Sequence, residues 1–195
     1  MRYKILVNAI TSSRILLTIA MAYVILKHGN ILILSTLLYM LICLTDHLDG
    51  RLARRFSAVS CKGAIFDVVA DLFFITGITG TMIYLGIMPD WFLLVIGVKF
   101  VEFIGTSCYF RKTSSSEDVF ISDKIGRSVA AMFYVMPYVS FIVFKIASVE
   151  WNIIIINTLC FIITALSMIS STFRVKSCLV LTENSKKIDI QTFVR

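Results

Sequence analysis

The chain has 195 residues, of which 58% are hydrophobic and 16% are charged, with two prolines and a net charge of +7. One soluble core of this length cannot bury so much apolar surface, so the composition excludes an ordinary water-soluble domain. The positive charge lies in short segments between apolar runs, as membrane orientation and anionic lipid headgroups require, so we expect no nucleic-acid partner. The composition predicts an all-α integral membrane protein.

Apolar runs of about 20 residues, the length that crosses a bilayer as a helix, recur along the whole chain. They predict six transmembrane helices in a single bundle, and one domain over residues 1–195. The predicted spans lie near residues 8–27, 31–50, 64–88, 91–110, 128–147 and 151–173. Residues 174–195 are predicted to form a cytoplasmic C-terminal tail.

The basic residues predict the orientation of these spans. Lys and Arg residues in short loops tend to stay on the cytoplasmic side of a membrane. Fifteen of the nineteen lie before the first run, between runs two and three, between runs four and five, or after run six. Both termini are therefore predicted to be cytoplasmic, and so is the segment between runs two and three.

That segment carries four carboxylates at helical spacing. Two stripes of residues share a helix face each, the first made of Asp46, Asp49, Gly50, Ala53 and Arg54, the second of Gly63, Asp67 and Asp71. A carboxylate near hydrocarbon is costly unless it pairs, faces a cavity or binds a cation. The four acids therefore predict a bound positive charge of about the same size, which two divalent cations would supply.

The same segment resembles a known family signature, DxxDGxxAR followed by eight residues and GxxxDxxxD. All eight specified positions are met between Asp46 and Asp71. This is the pattern of the CDP-alcohol phosphatidyltransferase family, class I, bacterial or archaeal type. In the first span, Asn8, Thr11 and Arg14 look like the family's NxxTxxR segment. At the start of span five, residues 124–127 look like its basic and glycine positions.

The resemblance implies an enzyme of phospholipid biosynthesis in the cell membrane. Such enzymes transfer a phosphatidyl-type group from a CDP-linked lipid, here CDP-diacylglycerol, to a small alcohol and release CMP. The resemblance also implies two Mg²⁺ or Mn²⁺ ions, about 4 Å apart, with Asp46, Asp49, Asp67 and Asp71 as ligands. Asp71 is implied to be the general base, which takes the proton of the acceptor hydroxyl.

A second set of residues is assigned to the CDP-linked lipid. Gly50, Ala53 and Gly63 leave room for a nucleotide, although close helix packing explains such small residues equally well when they are taken alone. By resemblance, the CDP-lipid site consists of Asn8, Thr11, Gly50, Ala53, Arg54, Ser60 and Gly63. Arg14 lies off that face and is expected to extend towards the lipid headgroups.

The acceptor site is less defined. A basic set on the cytoplasmic side can bind an acceptor phosphate or merely satisfy the positive-inside rule; its members are Arg111, Lys112, Lys124 and Arg127. Lys99 and Glu102, three residues apart inside span four, are interpreted either as an ion pair or as a polar wall of the acceptor cavity.

The acceptor itself stays open. Glycerol 3-phosphate is one candidate, but several relatives that use it carry Lys directly after the last motif acid, where this chain has Leu72. Inositol phosphate, serine or another small alcohol are therefore alternatives. The resemblance also implies a homodimer, while the positions of the basic residues predict an active site that faces the cytoplasm.

A rival hypothesis is a small ion-coupled transporter, which would also place acids among membrane helices. That hypothesis predicts repeated or broken helices, and the two halves of the sequence show no repeat. It also gives no reason for the spacing of glycine and arginine around the acids. The enzyme hypothesis accounts for both.

Overall fold

The computed structural model describes the backbone of residues 2–27, 32–55, 61–113 and 124–193, and the side chains of 11–27, 32–48, 51, 63, 65–106, 126–148 and 150–176. Within these ranges the chain forms six helices, as the all-α prediction requires. They are α1 (Arg2–Lys27), α2 (Leu32–Arg55), α3 (Cys61–Tyr84), α4 (Trp91–Thr113), α5 (Lys124–Ile146) and α6 (Val149–Phe193).

The apolar helices identify a membrane protein. Three segments in the described part of the chain are long and apolar enough to cross a bilayer, namely Ile65–Tyr84, Gly126–Ile146 and Glu150–Lys176. Large apolar side chains such as Leu94 and Met168 lie on the outer surface, 72% and 67% exposed. Soluble proteins seldom expose so much apolar surface, whereas lipid is a suitable solvent for it. Six spans and cytoplasmic termini stay predictions.

The helices pack in two groups. In one group α1 lies against α2 and α3, and in the other α6 lies against α4 and α5, while contacts between α3 and α5 join the groups. Wholly buried side chains fill the interior along this arrangement, among them Met21, Phe74, Phe92 and Phe141. Lipid tails are as apolar as these side chains, so the interior is stabilised mainly by close packing.

Helix α3 ends at Tyr84, four residues before the end of the apolar run that predicts it. Gly86 adopts a left-handed backbone conformation with φ of 70°, which costs glycine little. The amide of Ile87 then donates to the carbonyl of Met82 at 2.9 Å, and the amide of Gly86 donates to that of Ile83 at 2.8 Å. This is a Schellman ending, which hydropathy alone does not reveal.

Helix α6 is 45 residues long and continues well beyond the predicted sixth span, residues 151–173. The predicted C-terminal tail is therefore helical as far as Phe193. Residues 177–193 contain neither glycine nor proline, so their sequence gives no signal for a helix end.

Candidate active site

Three carboxylates from two neighbouring helices meet beside α1. Asp46 lies in the C-terminal half of α2, and Asp67 and Asp71 lie one turn apart on α3. One oxygen of each carboxylate lies within 4.8 Å of the others. The side chains are 43%, 40% and 34% exposed, so the cluster is open on one side. The structure thus brings together three of the four acids predicted as metal ligands.

Arg14 of α1 connects all three carboxylates. Its Nη2 lies 3.0 Å from Oδ1 of Asp46, and its Nη1 donates to Oδ1 of Asp67 at 3.1 Å and of Asp71 at 2.5 Å. The Arg14 side chain is wholly buried. The expectation that it extends to the headgroups is therefore wrong, because the nearby carboxylates offer it a far stronger electrostatic partner than water at the membrane surface.

The composition of this cluster suits a hard divalent cation. Carboxylate oxygens are preferred ligands of Mg²⁺ and Mn²⁺, and the spacing of these oxygens allows one ion to contact all three residues. Three carboxylates and one guanidinium leave two negative charges, since minus three plus one is minus two. That remainder equals the charge of one divalent ion. The residues therefore fit a metal ion of this class.

The described residues of the predicted CDP-lipid site lie next to this cluster along the chain. Thr11, one turn before Arg14 on α1, is buried, and Gly63, one turn before Asp67 on α3, is partly buried. Their roles stay predictions. The structure does not describe the side chains of the other members, namely Asn8, Gly50, Ala53, Arg54 and Ser60. The same holds for the fourth acid, Asp49.

One member of the predicted acceptor set is described. Arg127 is exposed near the start of α5. The side chains of the other three, Arg111, Lys112 and Lys124, fall outside the described residues. The acceptor site therefore stays a prediction.

An aromatic group lies beside the carboxylates, and sequence reasoning did not anticipate it. Tyr39 of α2 stacks on Tyr138 of α5 with ring centroids 4.1 Å apart, and Phe74 of α3 lies 4.4 Å from Tyr134 of α5. The Tyr134 hydroxyl is buried and finds no hydrogen-bond partner within the described part of the chain. No spacing pattern links α5 to the acids, so periodicity does not predict this aromatic group.

Lys99 and Glu102 form a second polar cluster, between α4 and α6. Lys99 Nζ lies 3.2 Å from Oε2 of Glu102 and donates to Ser171 Oγ at 2.9 Å and Ser170 Oγ at 3.3 Å. The hydroxyl of Ser171 also donates to Glu102. The two charged side chains are only 13% and 16% exposed. These contacts favour the ion-pair interpretation over the cavity wall.

Next to that cluster, Arg174 of α6 is also held inside the bundle. Its Nε donates to Thr106 Oγ1 at 2.7 Å, and its guanidinium lies 4.5 Å from the ring centre of Phe103. Arg174 is 4% exposed. Arg174 and Lys99 thus connect α6 to α4 through polar contacts. Such contacts are strong in an apolar surrounding.

These features define a class of protein. It is a helical membrane protein in which aspartates on adjacent helices form a site suited to a cation. The sequence comparison narrows that class: the chain matches the CDP-alcohol phosphatidyltransferase family over residues 4–169, and it belongs to this family. The matched region contains Arg14 and the three clustered aspartates. No curated protein matches the chain. The family transfers a phosphate-containing group from a CDP-alcohol in the synthesis of phospholipids.

Proposed function

We propose that the protein transfers a phosphatidyl group from CDP-diacylglycerol to a small alcohol and releases CMP, as a step of phospholipid biosynthesis. The observation that supports this most is the cluster of Asp46, Asp67 and Asp71 inside the region that matches the family. A membrane helix carries such acids only where they pair or bind a ligand. A nucleotide diphosphate with its metal ions is a ligand of the required charge.

In this proposal, the acids hold two Mg²⁺ or Mn²⁺ ions. Asp46, Asp49, Asp67 and Asp71 are their ligands. Bound ions of this kind neutralise a diphosphate and polarise the phosphorus atom that is attacked. The open side of the cluster, where the carboxylates are about one-third to two-fifths exposed, gives the ions and the substrates access.

Asp71 is proposed to accept the proton of the acceptor hydroxyl. The acceptor oxygen forms a bond to the phosphorus atom that bears the diacylglycerol, and the bond from that phosphorus to the oxygen of CMP breaks. CMP leaves with the bonding electron pair, and the proton is held on a carboxylate oxygen of Asp71. A carboxylate within hydrogen-bond reach of the acceptor is suited to this step.

The donor site is proposed to lie where α1, α2 and α3 meet. Thr11 on α1 and Gly63 on α3 flank the aspartates along their helices. They are proposed to contact the CDP moiety together with Asn8, Gly50, Ala53, Arg54 and Ser60. Small residues allow the nucleotide to approach the backbone, and arginine binds phosphate in a planar, bidentate geometry.

The acceptor is proposed to be a small polar alcohol such as glycerol 3-phosphate, with inositol phosphate and serine as alternatives. Arg111, Lys112, Lys124 and Arg127 are proposed to bind its phosphate where it has one. The exposed position of Arg127 near the start of α5 supports this. We further propose six spans in the cell membrane, an active site that faces the cytoplasm, and a homodimer.

The test is a release assay with purified protein in detergent. CDP-diacylglycerol, Mn²⁺ and one alcohol at a time are supplied, and CMP and the lipid product are measured. We expect CMP release with one acceptor and none without Mn²⁺. A reaction without alcohol measures hydrolysis of the donor. If no alcohol supports release with either Mn²⁺ or Mg²⁺, the proposed function is wrong.

A further inference from the structure

Arg14 stands at the centre of the carboxylate cluster, where its two terminal nitrogens contact three acids. We infer that Arg14 changes partners during the reaction. In the metal-free protein it holds Asp46, Asp67 and Asp71 together, and once divalent cations occupy the carboxylates it binds the diphosphate of the donor. This inference rests on the proposed function and assigns Arg14 a donor-binding role within it.

Electrostatic repulsion is the first reason to expect this exchange. A divalent cation that contacts the same three carboxylates lies within a few ångströms of the guanidinium, because Arg14 is 2.5–3.1 Å from one oxygen of each. Positive charges at such a distance repel each other, and the buried side of the cluster, where Arg14 lies, has little water to screen them. Metal binding therefore loosens the contacts between Arg14 and the carboxylates.

The burial of Arg14 is the second reason. The Arg14 side chain is 0% exposed, and a buried guanidinium without an anion is strongly unfavourable. When the two proposed divalent cations balance the four proposed acids, the charge of Arg14 is left over, so Arg14 requires another anion within its reach. The proposed reaction brings one, since the donor carries a diphosphate. Guanidinium groups bind phosphate oxygens through two parallel N–H donors.

The position of Arg14 on α1 agrees with this exchange. Thr11 lies three residues before it on α1 and is 3% exposed, so the two buried side chains share a helix face and the expectation that Arg14 lies off the face of Thr11 is wrong. Thr11 is proposed to contact the CDP moiety. Asp71 also accepts a hydrogen bond from Arg14 at 2.5 Å. The exchange would therefore release the proposed base from Arg14 only when metal and donor are in place.

The first measurement is Mn²⁺ affinity without substrate, determined from the free-ion signal in electron paramagnetic resonance. Arg14→Gln removes the charge that competes with the metal, so we expect it to bind Mn²⁺ about tenfold more tightly than the wild type. Arg14→Lys keeps the buried charge, but one ammonium nitrogen replaces two terminal nitrogens. We expect its Mn²⁺ affinity to fall between the two, and it carries the test if Arg14→Gln does not fold.

The second measurement is the affinity for CDP-diacylglycerol at saturating Mn²⁺, with no acceptor alcohol, so that no turnover is needed. Here we expect the opposite effect on affinity. Arg14→Gln is expected to bind the donor about tenfold more weakly than the wild type, and Arg14→Lys is expected to lose less affinity than Arg14→Gln. Lys99→Gln is the matched control, because it removes a mostly buried cation from the α4–α6 cluster. We expect it to change neither affinity.

Opposite effects on the two affinities support the exchange. A merely structural arginine would weaken both affinities or neither, and either result in the folded Arg14 variants overturns the inference while the proposed function stands. A wild-type protein that binds neither Mn²⁺ nor CDP-diacylglycerol overturns the proposed function and the inference with it.

Discussion

The α1–α3 group and the α4–α6 group each bury a basic side chain among polar partners, but the two clusters differ in charge. Around Arg14 three carboxylates face one guanidinium, and the acids are one-third or more exposed. Around Lys99 one carboxylate faces one ammonium, and both are mostly buried. Serine hydroxyls complete the second cluster. A balanced, closed cluster holds helices together, whereas an unbalanced, open one retains charge for a ligand.

The largest expected difference between the clusters is in catalysis. Asp71→Asn removes the proposed base, so we expect CMP release to fall by about 10²- to 10⁴-fold while CDP-diacylglycerol still binds. Glu102→Gln, the matched change in the α4–α6 cluster, is expected to retain most of the release per folded molecule. The measurement is CMP release with the acceptor found in the panel of alcohols. Retained activity in Asp71→Asn would remove it as the base.

Substitutions in the two clusters should also differ in their effect on protein stability, and here we expect the larger loss from the α4–α6 cluster. Glu102→Gln leaves the Lys99 charge inside the bundle without its carboxylate, so we expect a loss of about 2–3 kcal/mol in the free energy of unfolding. Replacing both residues, as in Lys99→Met with Glu102→Leu, should recover most of that loss. Thermal unfolding in detergent measures it. A double variant no more stable than Glu102→Gln would contradict the ion-pair interpretation.

In the carboxylate cluster, loss of one acid should stabilise the metal-free protein. Asp67→Asn reduces the excess negative charge around Arg14, so we expect a gain of about 1 kcal/mol in the free energy of unfolding when metal is removed with a chelator. The wild type should be stabilised by added Mn²⁺, and Asp67→Asn should lose that response. If Asp67→Asn unfolds at a lower temperature than the wild type under chelation, the cluster has no destabilising excess of negative charge and the prediction is wrong.

The smallest expected effect separates two tyrosines of α5. Tyr138 donates to Thr36 Oγ1 at 2.7 Å, so Tyr138→Phe should reduce the free energy of unfolding by about 1 kcal/mol. Tyr134 has no such partner in the described part of the chain, so Tyr134→Phe should cost nothing in stability. Thermal unfolding compares the two variants. An equal loss in both would mean that Tyr134 has a partner of its own.

The sequence was sufficient to predict the acid stripes, because residues at helical spacing on one helix must share a face. Asp67 and Asp71 follow this rule within α3, and an apolar run on each side predicts α2 and α3 themselves. The family assignment followed from the same segment and is confirmed over residues 4–169. Local periodicity and a dense motif were enough for both.

Contacts between distant helices were not predictable in this way. Arg14 lies 53 residues from Asp67 and was expected at the headgroups, because its own helix gives no reason to turn inwards. The partners of Lys99 on α6 and the position of Tyr134 depend on how the two helix groups pack. The end of α3 was missed because it depends on a backbone conformation at Gly86, which hydropathy does not encode.

The place of Asp71 within α3 has a consequence for how the two substrates travel. Asp71 lies seven residues beyond residue 64, where the predicted third span begins, which corresponds to about 10 Å along a helix axis. The proposed reaction would thus occur below the membrane surface. The lipid donor would need little vertical movement to react, whereas the water-soluble alcohol would have to descend into the bilayer through the open side of the carboxylate cluster.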